Sequence, residues 1–153
     1  MIDRAGSKGD SDPFQLTRFV NAQDKIYDRA LAELKDGRKR SHWMWFVFPQ
    51  IEGLGFSSTT QYYSIKTLEE ARRYLKHPVL GKRLRECTET ILALEGLSAS
   101  SIFGYPDDLK LKSSMTLFAG VAEPQSVFMR VLEKYYQGNP DERTVTLLAR
   151  LKR

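Results

Sequence analysis

Residues Ser41 to Ser58 read SHWMWFVFPQIEGLGFSS. Two Trp, three Phe, one His, one Gln and two Gly fall within these eighteen positions. Such a stretch is too aromatic for a surface loop and too polar at its ends for plain core. Ser41 is placed to cap a short helix through the aromatics, and Pro49 must end or kink it. Propensity alone also allows a strand, because Trp, Val and Phe suit sheets. Residues 50–58 then read as a loop, where Gly53 and Gly55 allow backbone conformations or close approaches that a Cβ forbids.

Outward from this stretch the chain reads as amphipathic helix. Upstream, Asp12 and Pro13 form a helix start. Leu16, Phe19, Val20, Ile26, Tyr27, Ala30, Leu31 and Leu34 follow at spacings of three and four, and Gly37 stops the run. The spacing predicts one helix over Pro13–Asp36. Downstream, Ser58 or Thr59 opens a short helix containing Tyr62, Tyr63 and Ile65. Thr67 with Glu70 fits a capping box for a helix through Leu75. Pro78 starts a helix closed by Gly96, and Ser98 opens a single turn to Phe103. Further helices are expected over Asp107–Ala119, from Pro124 to Gly138, and from Asp141 to Leu151. Residues 1–11 are polar, lack periodicity and are expected to be a disordered tail; 12–153 reads as one helical domain. The fold class is all-α, an irregular array of about six or seven helices, each with one apolar stripe to bury.

Composition bounds the function. The chain has 153 residues, of which 41% are hydrophobic and 11% aromatic, enough for one core. No apolar run approaches the roughly 18 residues of a membrane span, and no apolar signal core follows the N-terminus. The single cysteine, Cys87, excludes an internal disulfide and reads as a buried, inert thiol. A cytoplasmic location is expected. The net charge of +5 permits an anionic partner, and equally suits plain solubility. The basic residues concentrate at Lys35, Arg38, Lys39 and Arg40 and around Arg72, Arg73, Lys76, Lys82, Arg83 and Arg85.

Two polar concentrations could carry chemistry. The first is the aromatic stretch itself. Residues 43, 45 and 48 cannot share one helix face, so some rings must meet a groove or pocket. Trp43 or Trp45 could stack on a planar ring, with His42 and Gln50 hydrogen-bonding beside Gly53, Gly55, Ser57, Ser58 and Tyr62. The second is the run Asp107 to Thr116. Asp107, Lys110 and Ser114 fall on one helix face, with Ser113 on a neighbouring one. Lys110 could hold an anion, and Asp107 or Asp108 could act as acid or base with His42. The alternatives for these residues are plain ones: core packing for the rings and capping for Asp107 and Ser57. Two histidines and one cysteine give no ligand spacing for a metal, and no cofactor motif is present.

The runs DPFQLTRFVNAQDKIYDRALAEL, SHWMWFVFPQIEGLG, HPVLGKRL, IFGYPDDLKLKSSMTLF and F-x-x-VLEKYYQG-x-x-D resemble the "domain of unknown function 1810" family over Asp12 to about Leu151. That resemblance implies a mainly helical single domain, mostly bacterial, with no established activity. More weakly, SSTTQYYSIK, KSSM and the segment ending in TVTLL are similar to the YbiA-like (NADAR) N-glycosidases. That family has a carboxylate just before a His-Tyr pair, where this chain has Thr60 and Gln61 before Tyr62.

Three readings follow. The first is a pocket for a planar anionic ligand, such as a nucleotide or ADP-ribose derivative, with N-glycosidase-like hydrolysis as a possible extension. The second is a nucleic-acid-binding module, which needs a continuous basic face. The third is a protein-interaction or structural domain whose aromatics are simply core.

Overall fold

The computed structural model describes residues 12–152. Among these residues there are ten helices and no strand. They are α1 (Thr17–Asp24), α2 (Tyr27–Lys35), α3 (Met44–Val47), α4 (Ser58–Tyr62), α5 (Leu68–Lys76), α6 (Leu80–Ala93), α7 (Ala99–Phe103), α8 (Asp107–Ala119), α9 (Val127–Tyr136) and α10 (Glu142–Leu151). The expectation of a disordered tail falls on residues 1–11, outside those described.

The all-α class holds, and the count of six or seven does not. Part of the difference lies in the long first helix, which is two. No glycine or proline marks its break, so the apolar periodicity runs straight through Lys25 and Ile26. The break lets each half bury a different face. Gln23 ends up in the core, where its Nε2 donates to the Phe46 carbonyl at 2.6 Å and to the Tyr74 hydroxyl at 3.0 Å. Ala30 and Leu34 bury from the second half. The rest of the difference is short helices of four or five residues, α3, α4 and α7, held by their surroundings rather than by length.

The aromatic stretch is helical over Met44–Val47 and stops before Pro49, which settles the helix–strand alternative. Ser41 does not cap it; the Ser41 hydroxyl donates to Glu33 Oε2 at 2.6 Å instead. The following loop is pinned by a single parallel bridge between Ile51 and Ile65. Ile65 N donates to the Gln50 carbonyl at 2.8 Å, and Glu52 N to the Ile65 carbonyl at 2.8 Å. Ile65 therefore lies beyond α4 rather than in it.

Caps are set locally. The Ser57 side chain accepts from Thr60 N, and Asp141 from Thr144 N. Thr67 accepts from Glu70 N, but the return arm of the expected box goes elsewhere: Glu70 Oε1 accepts from Lys66 N at 2.9 Å, and its Oε2 takes the Arg18 guanidinium at 2.8 Å. His77 caps α6, its Nδ1 accepting from Val79 N at 3.1 Å and Leu80 N at 3.2 Å. Between α5 and α6, a Cβ on Gly81 would lie 2.0 Å from the Leu75 carbonyl oxygen, so only glycine lets the two helices approach.

At the centre lies α8, which packs on α5, α7, α9 and α10. Residues 113–118 are all buried, so the helix is enclosed on every side rather than along one stripe. The core cluster runs from Leu16 to Leu148 and includes Trp43, Phe48, Tyr74, Phe118 and Phe128. Cys87 is buried in it, and burial pushes its thiol up to about 12, as expected of an inert cysteine. No described helix is long and apolar enough to cross a membrane.

Candidate functional site

The two polar concentrations meet. Gln50, just past the aromatic turn, donates from Nε2 to Ser113 Oγ on α8 at 2.6 Å, and the Ser113 hydroxyl in turn donates to the Lys110 carbonyl at 3.0 Å. Beside this contact lies a cleft of about 300 Å³. Gln50, Leu54, Gly55 and Thr60 line one part of it; Pro106, Leu109, Lys110 and Ser113 line another; Asp141 and Arg143 of the α10 start complete it. Arg143 reaches across to the Gly53 carbonyl at 3.3 Å. Gly53 has φ +108, a conformation that favours glycine, and this orients that carbonyl. At Gly55 a Cβ would come within 2.8 Å of Thr60 Cγ2, so a side chain there would make Thr60 shift in the cleft wall.

Trp43 is not part of the wall. It is 0% exposed, and its indole Nε1–H donates to Glu33 Oε1 at 2.9 Å. No ring face is left for a ligand, and Trp43 takes the core role. Glu33 organises this corner. It also accepts from Arg40 N at 2.8 Å, Ser41 N at 3.0 Å and the Ser41 hydroxyl. Burial pushes its carboxyl up, but these donors outweigh burial and hold it at about 2. Trp45 is half-buried, and the Lys110 ammonium sits 5.0 Å from its ring centroid. Trp45 thus backs the cleft's cation from outside the lining.

The expected acid–base pair is otherwise engaged. Asp107 lies between two ammonium groups, with Lys39 Nζ at 2.8 Å and Lys110 Nζ at 3.3 Å. Lys39 is fixed in turn by the Ser41 carbonyl at 2.6 Å and lies 5.1 Å from the Trp43 ring. Asp108 Oδ1 accepts from Leu109 N at 2.9 Å, and its carbonyl accepts the Tyr136 hydroxyl. Neither carboxylate lines the cleft. The carboxylate that does, Asp141, caps α10 through Thr144 N at 2.9 Å and Thr144 Oγ1 at 2.6 Å. His42 is exposed and has no side-chain hydrogen bond among the described residues. Among the described residues lining the cleft, Asp141 is the one carboxylate, whereas glycosidic hydrolysis uses two.

The remaining expected residues divide. Ser57 caps α4, and Ser58 is its exposed first residue. Tyr62 is exposed and meets Tyr63 edge-on at 4.8 Å. Ser114 is wholly buried, and its hydroxyl has no partner among the described residues. Thr60, Asp141 and Arg143 were not legible as site residues. Arg143 lies ninety residues from the Gly53 carbonyl it contacts, and no local motif signals that meeting.

The basic clusters are laced with carboxylates. Arg40 pairs with Asp36, Arg72 and Arg73 with Glu69, Arg83 with Asp24 and Arg85 with Glu123. Such pairing offsets part of the positive charge in both clusters, whereas nucleic-acid binding needs a continuous positive face. Among the described residues, no three His, Cys, Asp or Glu side chains gather as a metal ion would need.

The model of the family described as "Protein of unknown function (DUF1810)" matches residues 13–148. The chain belongs to the DUF1810 family. The fold is also that of a crystal structure of the conserved hypothetical protein Rv1873 from Mycobacterium tuberculosis. The two are 55% identical, with a TM-score of 0.89, over 90% of this chain and 99% of that one. No curated protein matches the chain. Nearly the whole described DUF1810 fold, cleft-lining residues included, thus lies inside the family match.

Proposed function

We propose that this DUF1810 protein binds a small anionic ligand in the cleft between the Gln50–Thr60 segment, the start of α8 and the start of α10. The observation that carries the reading is the convergence of Lys110 and Arg143 on one cleft with the Gln50 amide beside them. Among the described residues Arg143 has no ion pair, and its one hydrogen bond, to Gly53, leaves other guanidinium N–H groups for a carboxylate or phosphate. Gln50 commits an N–H to Ser113, which orients the amide and leaves its oxygen as an acceptor. Leu54, Pro106 and Leu109 supply apolar surface for a planar part of the ligand. Nucleotides and ADP-ribose derivatives combine these features. The reading is one of binding; the engagement of Asp107, Asp108 and Asp141 by other partners speaks against hydrolysis as its chemistry.

The test is a thermal-shift panel of nucleotides, ADP-ribose, sugar phosphates, dicarboxylates and short oligonucleotides. A ligand at 100 times its dissociation constant stabilises by about 2.7 kcal/mol, a shift of several degrees for a domain of this size. The expected result is a hit among the small anions that Arg143→Ala or Gln50→Ala abolishes while the apo melting point is kept. A flat panel would overturn the reading and favour a protein-interaction or structural role. An oligonucleotide hit whose affinity falls steeply with salt would favour nucleic acid instead.

A further inference from the structure

Three aromatic side chains stand exposed among the described residues: Tyr105 at 81%, Phe56 at 78% and Tyr62 at 56%. Exposed apolar side chains scattered singly need no explanation, but two of these adjoin the same cleft along the chain. Tyr105 immediately precedes the lining residue Pro106, and Phe56 immediately follows the lining residue Gly55. Tyr62 ends α4, two residues after the lining residue Thr60. Leu109, itself in the lining, is 49% exposed. Tyr105 and Phe56 thus each adjoin a lining residue of the cleft from opposite segments, whereas Tyr62 lines a separate hollow with Phe14, Arg18 and Lys66; of the two expected stacking residues, Trp43 is in the core and Trp45 is half-buried beside Lys110.

Both segments are anchored at their bases. Gln61 Nε2 donates to the Phe56 carbonyl at 3.1 Å, and Ser57 caps the adjoining helix. On the other side Asp108 N donates to the Gly104 carbonyl at 2.8 Å, closing the turn that carries Tyr105. A ring held on an ordered backbone loses little freedom when it stacks, which is what makes Tyr and Phe effective platforms for a planar group.

We infer that Tyr105 and Phe56 form the ring-binding lip of this cleft, and that its ligand class is a mononucleotide-like anion carrying an aromatic base rather than a ring-free phosphate or carboxylate. The inference rests on the anion-binding reading above and adds the recognition of the base. The phosphate end is held by Arg143 and Lys110, the base by the two exposed rings.

The experiment compares adenosine monophosphate with ribose 5-phosphate by isothermal titration on the full chain. Base–aromatic stacking of about 1–3 kcal/mol corresponds to roughly 5- to 150-fold in affinity. The nucleotide is expected to bind at least tenfold more tightly, and Tyr105→Ala and Phe56→Ala to erase that advantage while leaving ribose 5-phosphate binding unchanged. Both positions are exposed, so the variants retain the fold. Equal binding of the two compounds, or indifference of the nucleotide to both substitutions, would overturn the stacking lip and leave the anion site standing. Failure of both compounds to bind would overturn the anion site together with its lip.

Discussion

The indole N–H of Trp43 donates to Glu33 Oε1 at 2.9 Å, tying the aromatic turn to α2 across ten residues of sequence. The same carboxylate takes the amides of Arg40 and Ser41 and the Ser41 hydroxyl, so one buried acid satisfies four donors of the connection. This corner anchors the start of the aromatic turn, and the Ile65 amide and Ser113 hold Gln50 at its far end. Glu33→Ala would leave these donors, the fully buried Trp43 indole N–H among them, without their acceptor. We expect it to cost about 2–4 kcal/mol, more than a typical surface substitution, by urea unfolding. Trp43→Ala should cost about 3–5 kcal/mol, as deletion of a buried aromatic does. A small loss for either would mean that the corner is not structural.

Acid sensitivity follows from the same carboxylate. Glu33 titrates at about 2 in the folded chain against 4.5 when unconstrained. A depressed carboxyl stabilises the fold at pH above 4.5, and that stability is lost as pH falls from there toward 2. His77 adds a second window. Its folded value is lowered below 6.5 by burial, although Asp12 pulls the other way, and its neutral Nδ1 caps α6. Its contribution is present above pH 6.5 and declines as pH falls below that. The urea midpoint of the native chain should therefore drop in two stages on acidification. Glu33→Gln should flatten the lower stage and His77→Asn, which keeps a capping acceptor, the upper.

Gly81→Ala tests the close approach of α5 and α6. The added methyl would lie 2.0 Å from a backbone oxygen, which cannot rotate away as a side chain can. The helices must separate, and a destabilisation of roughly 2–4 kcal/mol is expected, in the range of overpacked cores and beyond the usual gain of helix propensity from Gly to Ala. An unchanged melting temperature would contradict the packing.

Asp107 distinguishes binding from catalysis. Its carboxylate is shared between Lys39 and Lys110, so it draws positive charge away from the cleft. Asp107→Asn should raise the affinity for a small anion several-fold at low salt, with the gain shrinking as salt is added. Loss of ligand turnover with unchanged binding would instead make Asp107 a catalytic residue.

Much of this was readable in the sequence, for identifiable reasons. Capping residues act within three positions, so Ser57, Thr67, Ser98 and Asp141 announced their helices locally. The break between α1 and α2 carried no such residue, because burial of Gln23 against Phe46 and Tyr74 is a tertiary event. The face of Asp107, Lys110 and Ser114 was real as geometry, but α8 is buried on all sides below its first turn. Only Lys110 of the three lines the cleft, and Ser114 is sealed in the core. In sequence Glu33 is one polar position in an amphipathic run. Its partners lie beyond the helix end, where neither periodicity nor spacing marks them.

The central claim is that anions bind at the Gln50–Lys110–Arg143 cleft. Titrating adenosine monophosphate into isotope-labelled protein and following amide and side-chain resonances by two-dimensional NMR tests it most directly. The account predicts saturable shifts confined to Gln50, Gly53–Thr60, Tyr105–Ser113 and Arg143, lost in Arg143→Ala. Shifts centred instead on the apolar groove of Met129, Leu132, Val145 and Leu148, or no saturable shifts at all, would contradict it.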